Sequence, residues 1–308
     1  MSGSPQHRSP RRRRTAAIWI AGLAAIAMVS SLTGNGSASA GPKGPAPTVT
    51  GPDCGATITK STGTPWTCTF SDSFSGTSLN TTKWAPLTTK TTGVITTECR
   101  LSSTKNIAVS GGVLRLTVRK ESKPVNCATP SGSYTTRYTG GNVTSQGKFA
   151  QAYGRFEIRA SFPDTTIKGL HSGIWLWPRY FAYAEHSGEI DIAEYRTGHA
   201  GYVVPYVHYT STYPDPNRTN NWCAVSRPQD FHTYVLEWNT ETLTISYDGN
   251  VCLVDNWQPA SPMIKPQPFD RPFFLNLTNS LGINANAFDP ALTPLPSTMQ
   301  VDYVRVWQ

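Results

Sequence analysis

The sequence predicts an all-β protein built as a β-sandwich. Short apolar runs alternate with polar residues, and Gly, Pro, Thr, Ser and Asn recur between them, as expected where turns connect strands. The part of the chain after position 40 has a length that suits one β-sandwich with long loops, and it needs no second core. These observations together favour a single all-β domain.

Residues 1–40 are predicted to be a secretory signal peptide. Arg8 and the run Arg11 to Arg14 form a positive n-region, residues 16–32 are mostly apolar, and Ala38-Ser39-Ala40 is a small-residue cleavage site. A transmembrane anchor is the alternative, which the polar tail before the cleavage site disfavours. We therefore expect a secreted, extracellular protein.

Two further segments come after the signal peptide. Residues 41–53 are rich in Pro and Gly and are predicted to be an extended leader, and residues 54–308 to be one folded domain. Because residues 1–40 hold five arginines and no acidic residue, their removal lowers the net charge from +8 to +3. No basic run remains, so we expect neither nucleic acid nor, after signal cleavage, a membrane as partner, and a chain that acts as a monomer.

The six cysteines predict three disulfides, because an even number in an exported chain is typical of such a framework. Sequence alone leaves about fifteen connectivities open. We predict nearest-neighbour pairing, which joins Cys54 to Cys68, Cys99 to Cys127 and Cys223 to Cys252. A metal–thiolate site is disfavoured because the sequence has no C-x-x-C pair and no Cys/His cluster.

Several strands can be placed from alternation. Residues 113–118 put Leu114, Leu116 and Val118 on one face. Residues 155–162 separate an apolar face from a polar face that carries Arg159. Residues 234–238, 243–247 and 251–254 predict a scaffold hairpin with a turn at Asp248-Gly249.

The most informative stretch is the strand-like run Gly188 to Tyr195, which carries three carboxylates. In a regular strand Glu189 and Asp191 share one face and Glu194 points to the other. One extra residue between Asp191 and Glu194, a β-bulge, would return Glu194 to that face, and bulges are frequent beside active sites. We therefore predict three acids along one wall. The alternative is a strand whose acids are merely solvated.

Such an arrangement suits glycoside hydrolysis with retention. The two glutamate Cα atoms would lie roughly 13 Å apart at about 3.3 Å per residue, so their carboxyl groups can lean towards the separation of about 5 Å that retaining glycosidases use. Glu189 would be the nucleophile and Glu194 the general acid and then base. Asp191 would orient the nucleophile and, as a like charge, help to keep the acid protonated.

Glu-Ile-Asp-Ile-Ala-Glu resembles the bulged E-x-D-x-x-E signature of glycoside hydrolase family 16, in the form found in laminarinases, which are endo-β-1,3-glucanases. Further segments are similar to the family in the same order. They are Thr69 to Phe74 with Leu79 and Lys83-Trp84, Tyr153 to Arg159, Gly173 to Pro178, Phe231 to Tyr234 with Glu237-Trp238, Asp248-Gly249, and Val301 to Val306.

The resemblance implies a jelly-roll β-sandwich of two antiparallel sheets with a concave substrate cleft. It also implies substrate-binding roles in that cleft for Trp175, Trp177 and His208, with His208 contacting substrate or tuning Glu194. Arg159 is a candidate for contacting sugar or the acids, a surface salt bridge being the alternative. No organic cofactor is implied, and some members bind a structural Ca²⁺ near the position of Asp302.

Two segments depart from the family pattern: Asn276 to Gly282 replaces an Asn-Leu-Ala stretch that ends in paired glycines, and Thr97 to Arg100 lacks an aromatic-rich pattern. Both feed cleft loops, so the chemistry is better supported than the glycan. We predict a secreted retaining endo-β-glycanase acting on β-1,3 or mixed β-1,3-1,4 glucan. The alternatives are a galactan hydrolase of the same family (agarase, carrageenase or galactanase type), a transglycosylase, or a non-catalytic glucan-binding lectin.

Overall fold

The computed structural model describes residues 52–183, 187–199, 201–212 and 219–308. The predicted signal peptide, and the predicted leader up to Gly51, lie outside these residues.

Strands dominate the described chain. Their order is β1 (Cys68–Asp72), β2 (Ala85–Pro86), β3 (Cys99–Arg100), β4 (Ile107–Ser110), β5 (Val113–Thr129), β6 (Gly132–Gly140), β7 (Asn142–Thr144), β8 (Gly154–Ser161), β9 (Leu170–Pro178), β10 (Glu189–Arg196), β11 (Tyr202–His208), β12 (Cys223–Ala224), β13 (His232–Trp238), β14 (Leu243–Tyr247), β15 (Asn250–Asp255), β16 (Phe273–Leu281) and β17 (Ser297–Trp307). One helical turn, α1 (Thr89–Thr92), precedes β3, and a short 3₁₀ helix (Asn284–Asn286) follows β16.

The strands form two sheets, and all pairings between these strands are antiparallel except that of β3 with β6. The seven-stranded sheet, here called the cleft sheet, has the order β12-β11-β10-β9-β16-β7-β2. The ten-stranded sheet, here called the outer sheet, runs β15-β14-β13-β8-β17-β5-β6-β3, with β1 also paired to β17 and β4 to β5. The architecture is the predicted all-β jelly-roll sandwich.

Alternation along the strands explains how the sheets pack. Leu114, Leu116, Phe156 and Ile158 project from the outer sheet, and they are buried in one core with residues of the cleft sheet. The contributing cleft-sheet residues are Ile174, Leu176, Ile190, Ile192, Leu275 and Leu277. Because successive side chains of a strand point to opposite faces, the intervening residues of β9, β10 and β16 lie on the face away from the core. We call this the cleft face.

The turn between β14 and β15 confirms the predicted Asp-Gly hairpin. Asp248 and Gly249 both have positive φ angles, 48° and 80°, as a two-residue type I′ turn requires. In β11, Tyr202 and Val203 pair with the short edge strand β12, and Pro205 follows these two residues. A proline is tolerated there because it falls in the gap between this pairing and the bridge of Tyr206 with Asn220 on the same edge.

All three predicted disulfides are confirmed: Cys54–Cys68, Cys99–Cys127 and Cys223–Cys252. The third one joins β12, the edge strand of the cleft sheet, to β15, the edge strand of the outer sheet. It therefore cross-links the two layers at one open side of the sandwich. No helix within the described ranges is long and apolar enough to cross a membrane.

Candidate active site

The predicted bulge is present in β10. Along β11, Asp191 is paired with Tyr206 and Glu194 with Val204, so three steps on β10 match two steps on β11. The ladder with β9 shifts in the same interval, between Asp191 and Ala193. The bulge therefore places Glu194 on the cleft face with Asp191, whereas Ile192 and Ala193 are both fully buried in the core.

The entry into β10 depends on Gly188. Its φ is +78°, in the left-handed region, and a Cβ atom there would lie 2.8 Å from the Phe269 ring. A residue with a side chain would therefore be strained and would also clash. Glycine at this position lets the chain turn sharply and begin the strand at Glu189.

The acids lie in a recess. Asp191 is 5% exposed and Glu194 4% exposed, although both side chains point away from the core, and Glu189 is half-buried. Burial on the outward face of a sheet requires neighbouring side chains to cover the acids. The covering residues on β9 are Trp175, directly opposite Asp191, and His171, opposite Arg196, while Gly173 lies opposite Glu194.

Aromatic rings line the recess on the β9 side. Trp175 and Trp177 are half-buried on the cleft face and meet edge to face, with ring centroids 5.8 Å apart. Trp177 contacts the exposed Phe181 in the same way at 5.9 Å, and Trp175 Nε1 donates to Thr278 Oγ1 on β16 at 3.2 Å. Half-exposed indole rings suit the apolar C–H faces of pyranose sugars.

Beside Trp175 on β16 lies Asn276, which is 1% exposed and is paired with Trp175 in the ladder. Neither the side-chain nitrogen Nδ2 nor the side-chain oxygen Oδ1 of Asn276 has a hydrogen-bond partner among the described residues. The Asn276 segment, which departs from the family pattern, therefore brings an unsatisfied amide next to the tryptophan.

The β11 side supplies His208 and Tyr206. His208 is paired with Glu189, and its Nε2 lies 2.8 Å from Asp191 Oδ2. The rings of Tyr206 and His208 stack with centroids 3.9 Å apart. His208 thus lies beside the acids, and the acid that it contacts directly is Asp191.

Glu194 has two neighbours that the sequence did not indicate. His171 Nε2 lies 2.8 Å from Glu194 Oε1, and Arg196 Nη2 lies 3.9 Å from Glu194 Oε2. The contact with His171 depends on the register between β9 and β10, which no local pattern in the sequence specifies.

Burial and mutual repulsion shift the pKa values of these groups. The pKa of Glu194 is raised well above its usual range, first by burial and then by the charge of Asp191, with Arg196 and His208 opposing. The pKa of Glu189 is raised by burial and by the charges of Asp191 and Glu194. Burial, aided by Arg196, lowers the pKa of His171 to about 3. The cluster thus favours one shared proton, and His171 is neutral at neutral pH.

Arg159 is not in the cleft, and the prediction of a cleft role for it is wrong. It lies on β8 of the outer sheet, where its guanidinium pairs with the Asp302 carboxylate and covers the Phe231 ring at 4.9 Å. Alternation correctly placed Arg159 on the polar face of its strand, but that face belongs to the other sheet. The salt-bridge alternative is therefore the correct one.

The same pair bears on the possible calcium ion near Asp302. Its carboxylate is already neutralised by Arg159, and the described residues contain no group of three or more His, Cys, Asp or Glu side chains able to hold a metal ion. Calcium sites in proteins are built from several oxygen ligands, commonly including carboxylates. Backbone carbonyl groups and water can also supply such oxygens, so a structural calcium ion near Asp302 stays a prediction.

Aromatic residues that the sequence did not indicate extend the β11 side. The ring of Trp222 lies 5.4 Å from the ring of His199 and 6.1 Å from that of Tyr202. Trp222 is 48% exposed and Tyr202 43% exposed. These rings lie at the edge of the cleft sheet beyond the acids.

Comparison with known proteins agrees with this geometry. The family model "Glycosyl hydrolases family 16" matches residues 95–276. The glucan endo-1,3-beta-glucosidase A1 of Niallia circulans is 30% identical over 262 residues, which make up 78% of this chain and 37% of that protein. The keratan-sulfate endo-1,4-beta-galactosidase of Sphingobacterium multivorum is 32% identical over 184 residues, 56% of this chain and 40% of that protein. This chain therefore spans less than half the length of either curated relative.

Among solved structures, the laminarinase of Rhodothermus marinus is 28% identical and superposes with a TM-score of 0.64, covering 79% of this chain and 97% of that one. The fold, the bulged acid strand and the matched family model lead to one conclusion. This chain belongs to the glycosyl hydrolases of family 16.

Proposed function

We propose that this chain is a secreted endo-β-glycanase that hydrolyses β-1,3 or mixed β-1,3-1,4 glucan with retention of configuration. The observation that carries the proposal is the bulged strand β10, which puts Glu189, Asp191 and Glu194 along one recessed face beside Trp175 and Trp177. Two glutamates on one wall can supply the nucleophile and the acid that retention needs.

Burial supports the assignment of the two glutamates. Glu194 is 4% exposed and Glu189 is half-buried, so a negative charge costs more on Glu194. The shared proton therefore resides on Glu194, which acts as general acid, and Glu189 remains ionised as the nucleophile. Once Glu194 is neutral, its charge no longer opposes ionisation of Glu189.

The reaction then proceeds in two steps. A carboxylate oxygen of Glu189 attacks the anomeric carbon while the bond to the leaving oxygen breaks, and Glu194 gives its proton to that oxygen. In the second step Glu194 removes a proton from a water molecule, whose oxygen displaces Glu189 from the anomeric carbon. Two inversions restore the original configuration, and Glu194 ends protonated.

Asp191 acts between the two glutamates. Its negative charge raises the pKa of both, so it helps to keep the proton on the cluster. His208 Nε2 contacts Asp191 Oδ2 and so holds this carboxylate in place. Asp191 thereby orients the nucleophile without itself forming a bond to the sugar.

The glucan is the finer part of the proposal. A laminarinase and a glucan endo-1,3-beta-glucosidase among the relatives support it, and the tryptophan-lined recess suits a neutral pyranose chain. A galactan is the second candidate, because one relative of similar identity is a keratan-sulfate endo-1,4-beta-galactosidase.

Secretion is supported by two independent observations. The N-terminal segment has the three parts of a signal peptide, and all six cysteines are joined in disulfides, which persist in oxidising compartments.

The experiment that tests this function measures reducing-sugar release by wild type and by Glu189→Gln on laminarin, lichenan, agarose, carrageenan and keratan sulfate in parallel. Release from laminarin or lichenan by wild type alone, with the β-anomer formed first by proton NMR, supports the full proposal. Release of reducing sugar only from a galactan supports the proposed catalytic mechanism and overturns glucan as the substrate. Binding without hydrolysis of every glycan favours the lectin alternative, and unchanged hydrolysis by Glu189→Gln overturns the site.

A further inference from the structure

His171 makes a short contact to Glu194 from the neighbouring strand. It lies on β9, and its Nε2 is 2.8 Å from Glu194 Oε1 across the β9–β10 pairing. The imidazole is 14% exposed and the carboxyl group 5% exposed, so solvent does not compete strongly for this contact. The significance of the contact rests on the proposed function, in which Glu194 is the general acid.

The two oxygens of Glu194 are not equivalent. Oε1 contacts His171, whereas Oε2 is buried without a hydrogen-bond partner in the described part of the chain, and Arg196 Nη2 lies 3.9 Å from it. A buried oxygen without a partner is costly unless a ligand completes it. Gly173, directly opposite Glu194, has no side chain of its own, and Thr278 and Trp175 pack against it.

We propose that His171 is a positioning residue for the general acid: its neutral imidazole donates the Nε2–H to Glu194 Oε1, so that the proton to be transferred is carried by Oε2. A carboxylic acid offers its proton from one oxygen only. If the proton lay on Oε1 it would point at His171 instead of at the leaving oxygen, and the carboxyl group would first have to rotate.

The protonation state of His171 agrees with this geometry. Burial lowers its pKa to about 3, so the ring is neutral at working pH and has one N–H. A neutral donor binds Oε1 without supplying a positive charge that would drive Glu194 to ionise. Arg196 is kept at a longer distance, where its opposing effect on the pKa of Glu194 is outweighed by burial.

Several charged groups act on this pair and bear on its pH response. They are Glu189, Asp191 and Arg196 on β10, His208 on β11, and Glu98 and Arg100 at β3. None of these groups is changed when His171 alone is replaced, so a shift in the pH profile of a His171 variant reports the lost contact.

The test is the direction in which the alkaline limb of the kcat/KM profile shifts when His171 is replaced. A donor to Oε1 stabilises ionised Glu194 more than the protonated form, so its removal in His171→Leu raises the pKa of the acid. Because the acid must be protonated, the alkaline limb of kcat/KM then moves to higher pH. His171→Gln, whose amide can donate from a similar position, moves it back towards wild type. A shift to lower pH in His171→Leu would mean that Glu194 donates to the ring, and it overturns the proposal.

Leaving-group dependence gives a second measurement that does not rely on the pH limbs. We expect His171→Leu to lower kcat/KM on laminarin by about tenfold to a hundredfold, part of the contribution that proton transfer makes. On a 2,4-dinitrophenyl β-laminaribioside, whose leaving group needs no proton, kcat/KM should fall less than about threefold. Equal losses on both substrates indicate a merely structural residue and overturn the proposal.

The matched control is His232→Gln. His232 lies on β13 of the outer sheet, where its Nδ1 contacts Asp248, and it should leave both the pH limbs and the leaving-group dependence unchanged. If wild type hydrolyses neither laminarin nor the aryl glycoside, the proposed function has failed. If wild type is active and His171→Leu behaves as His232→Gln does, the role of His171 has failed alone.

Discussion

His208 Nε2 lies 2.8 Å from Asp191 Oδ2, so the central acid of the cluster is held by a histidine from the neighbouring strand. Asp191 is 5% exposed, and its charge acts on both glutamates of β10. The position of this one carboxylate therefore influences both proton-transferring steps.

Asp191→Asn should move both limbs of the pH profile to lower pH. The negative charge of Asp191 raises the pKa of Glu189 and of Glu194, and its loss lowers both. The acidic limb reports protonation of the nucleophile and the alkaline limb reports deprotonation of the acid, so each moves downwards. Measurement of kcat/KM against pH checks this, and limbs that stay in place or move upwards contradict it.

Replacement of each glutamate should give a different azide product. In Glu194→Ala, azide attacks the glycosyl-enzyme formed from a dinitrophenyl glycoside and releases the β-glycosyl azide. In Glu189→Ala, azide replaces the nucleophile and gives the α-glycosyl azide from an activated β-glycoside. Both variants should lose at least about a thousandfold in activity without azide. Proton NMR identifies the anomer, and exchanged products would reverse the two roles.

Trp175→Ala should raise KM on the polysaccharide by about tenfold, because an indole face buried against sugar contributes roughly 1.4 kcal/mol. The KM of Trp175→Phe should lie between those of wild type and Trp175→Ala. Thr278→Val serves as the control, since it removes only the hydrogen bond from Trp175 Nε1. Initial rates and affinity electrophoresis in the Glu189→Gln background measure the effect. A lower thermal midpoint with an unchanged KM would make the residue purely structural.

Arg159→Ala should leave kcat and KM within about twofold of wild type. Arg159 and Asp302 lie on the outer sheet with side chains 39% and 33% exposed, and pairs this exposed contribute less than about 1 kcal/mol. Kinetics on laminarin and thermal denaturation test both statements. A loss of activity without a loss of thermal stability would indicate that Arg159 takes part in catalysis or substrate binding after all.

The Cys223→Ser, Cys252→Ser double variant should be less stable by about 3–4 kcal/mol, as expected for a bridge that closes a sequence separation of 29 residues. The thermal midpoint should fall by roughly 10 °C. Denaturant unfolding followed by tryptophan fluorescence measures the change. An equal loss in the variant lacking Cys54–Cys68, with its separation of 14, would argue against loop closure as the cause.

Local sequence rules predicted the parts of the site that depend on local geometry. The spacing of Glu189, Asp191 and Glu194 implied a bulge because side chains alternate along a strand, and the bulge is present. The disulfides join cysteines that are neighbours along the chain. His171 was missed because its contact with Glu194 arises from the register of β9 against β10, and Arg159 was misplaced because alternation gives a face but not a sheet.

The bulge in β10 also means that the deletion of a single residue separates the spacing E-x-D-x-x-E from the spacing E-x-D-x-E. Ile192 and Ala193 both face the core between Asp191 and Glu194, where β10 has one residue more than β11. Loss of either residue would therefore leave a regular strand, with Glu189, Asp191 and the second glutamate still on the cleft face. Tyr195 would stay in the core, stacked on Phe162. Deletion of either residue converts the spacing from E-x-D-x-x-E to E-x-D-x-E, and deletion of Ala193 disturbs the core less because it removes the smaller buried side chain.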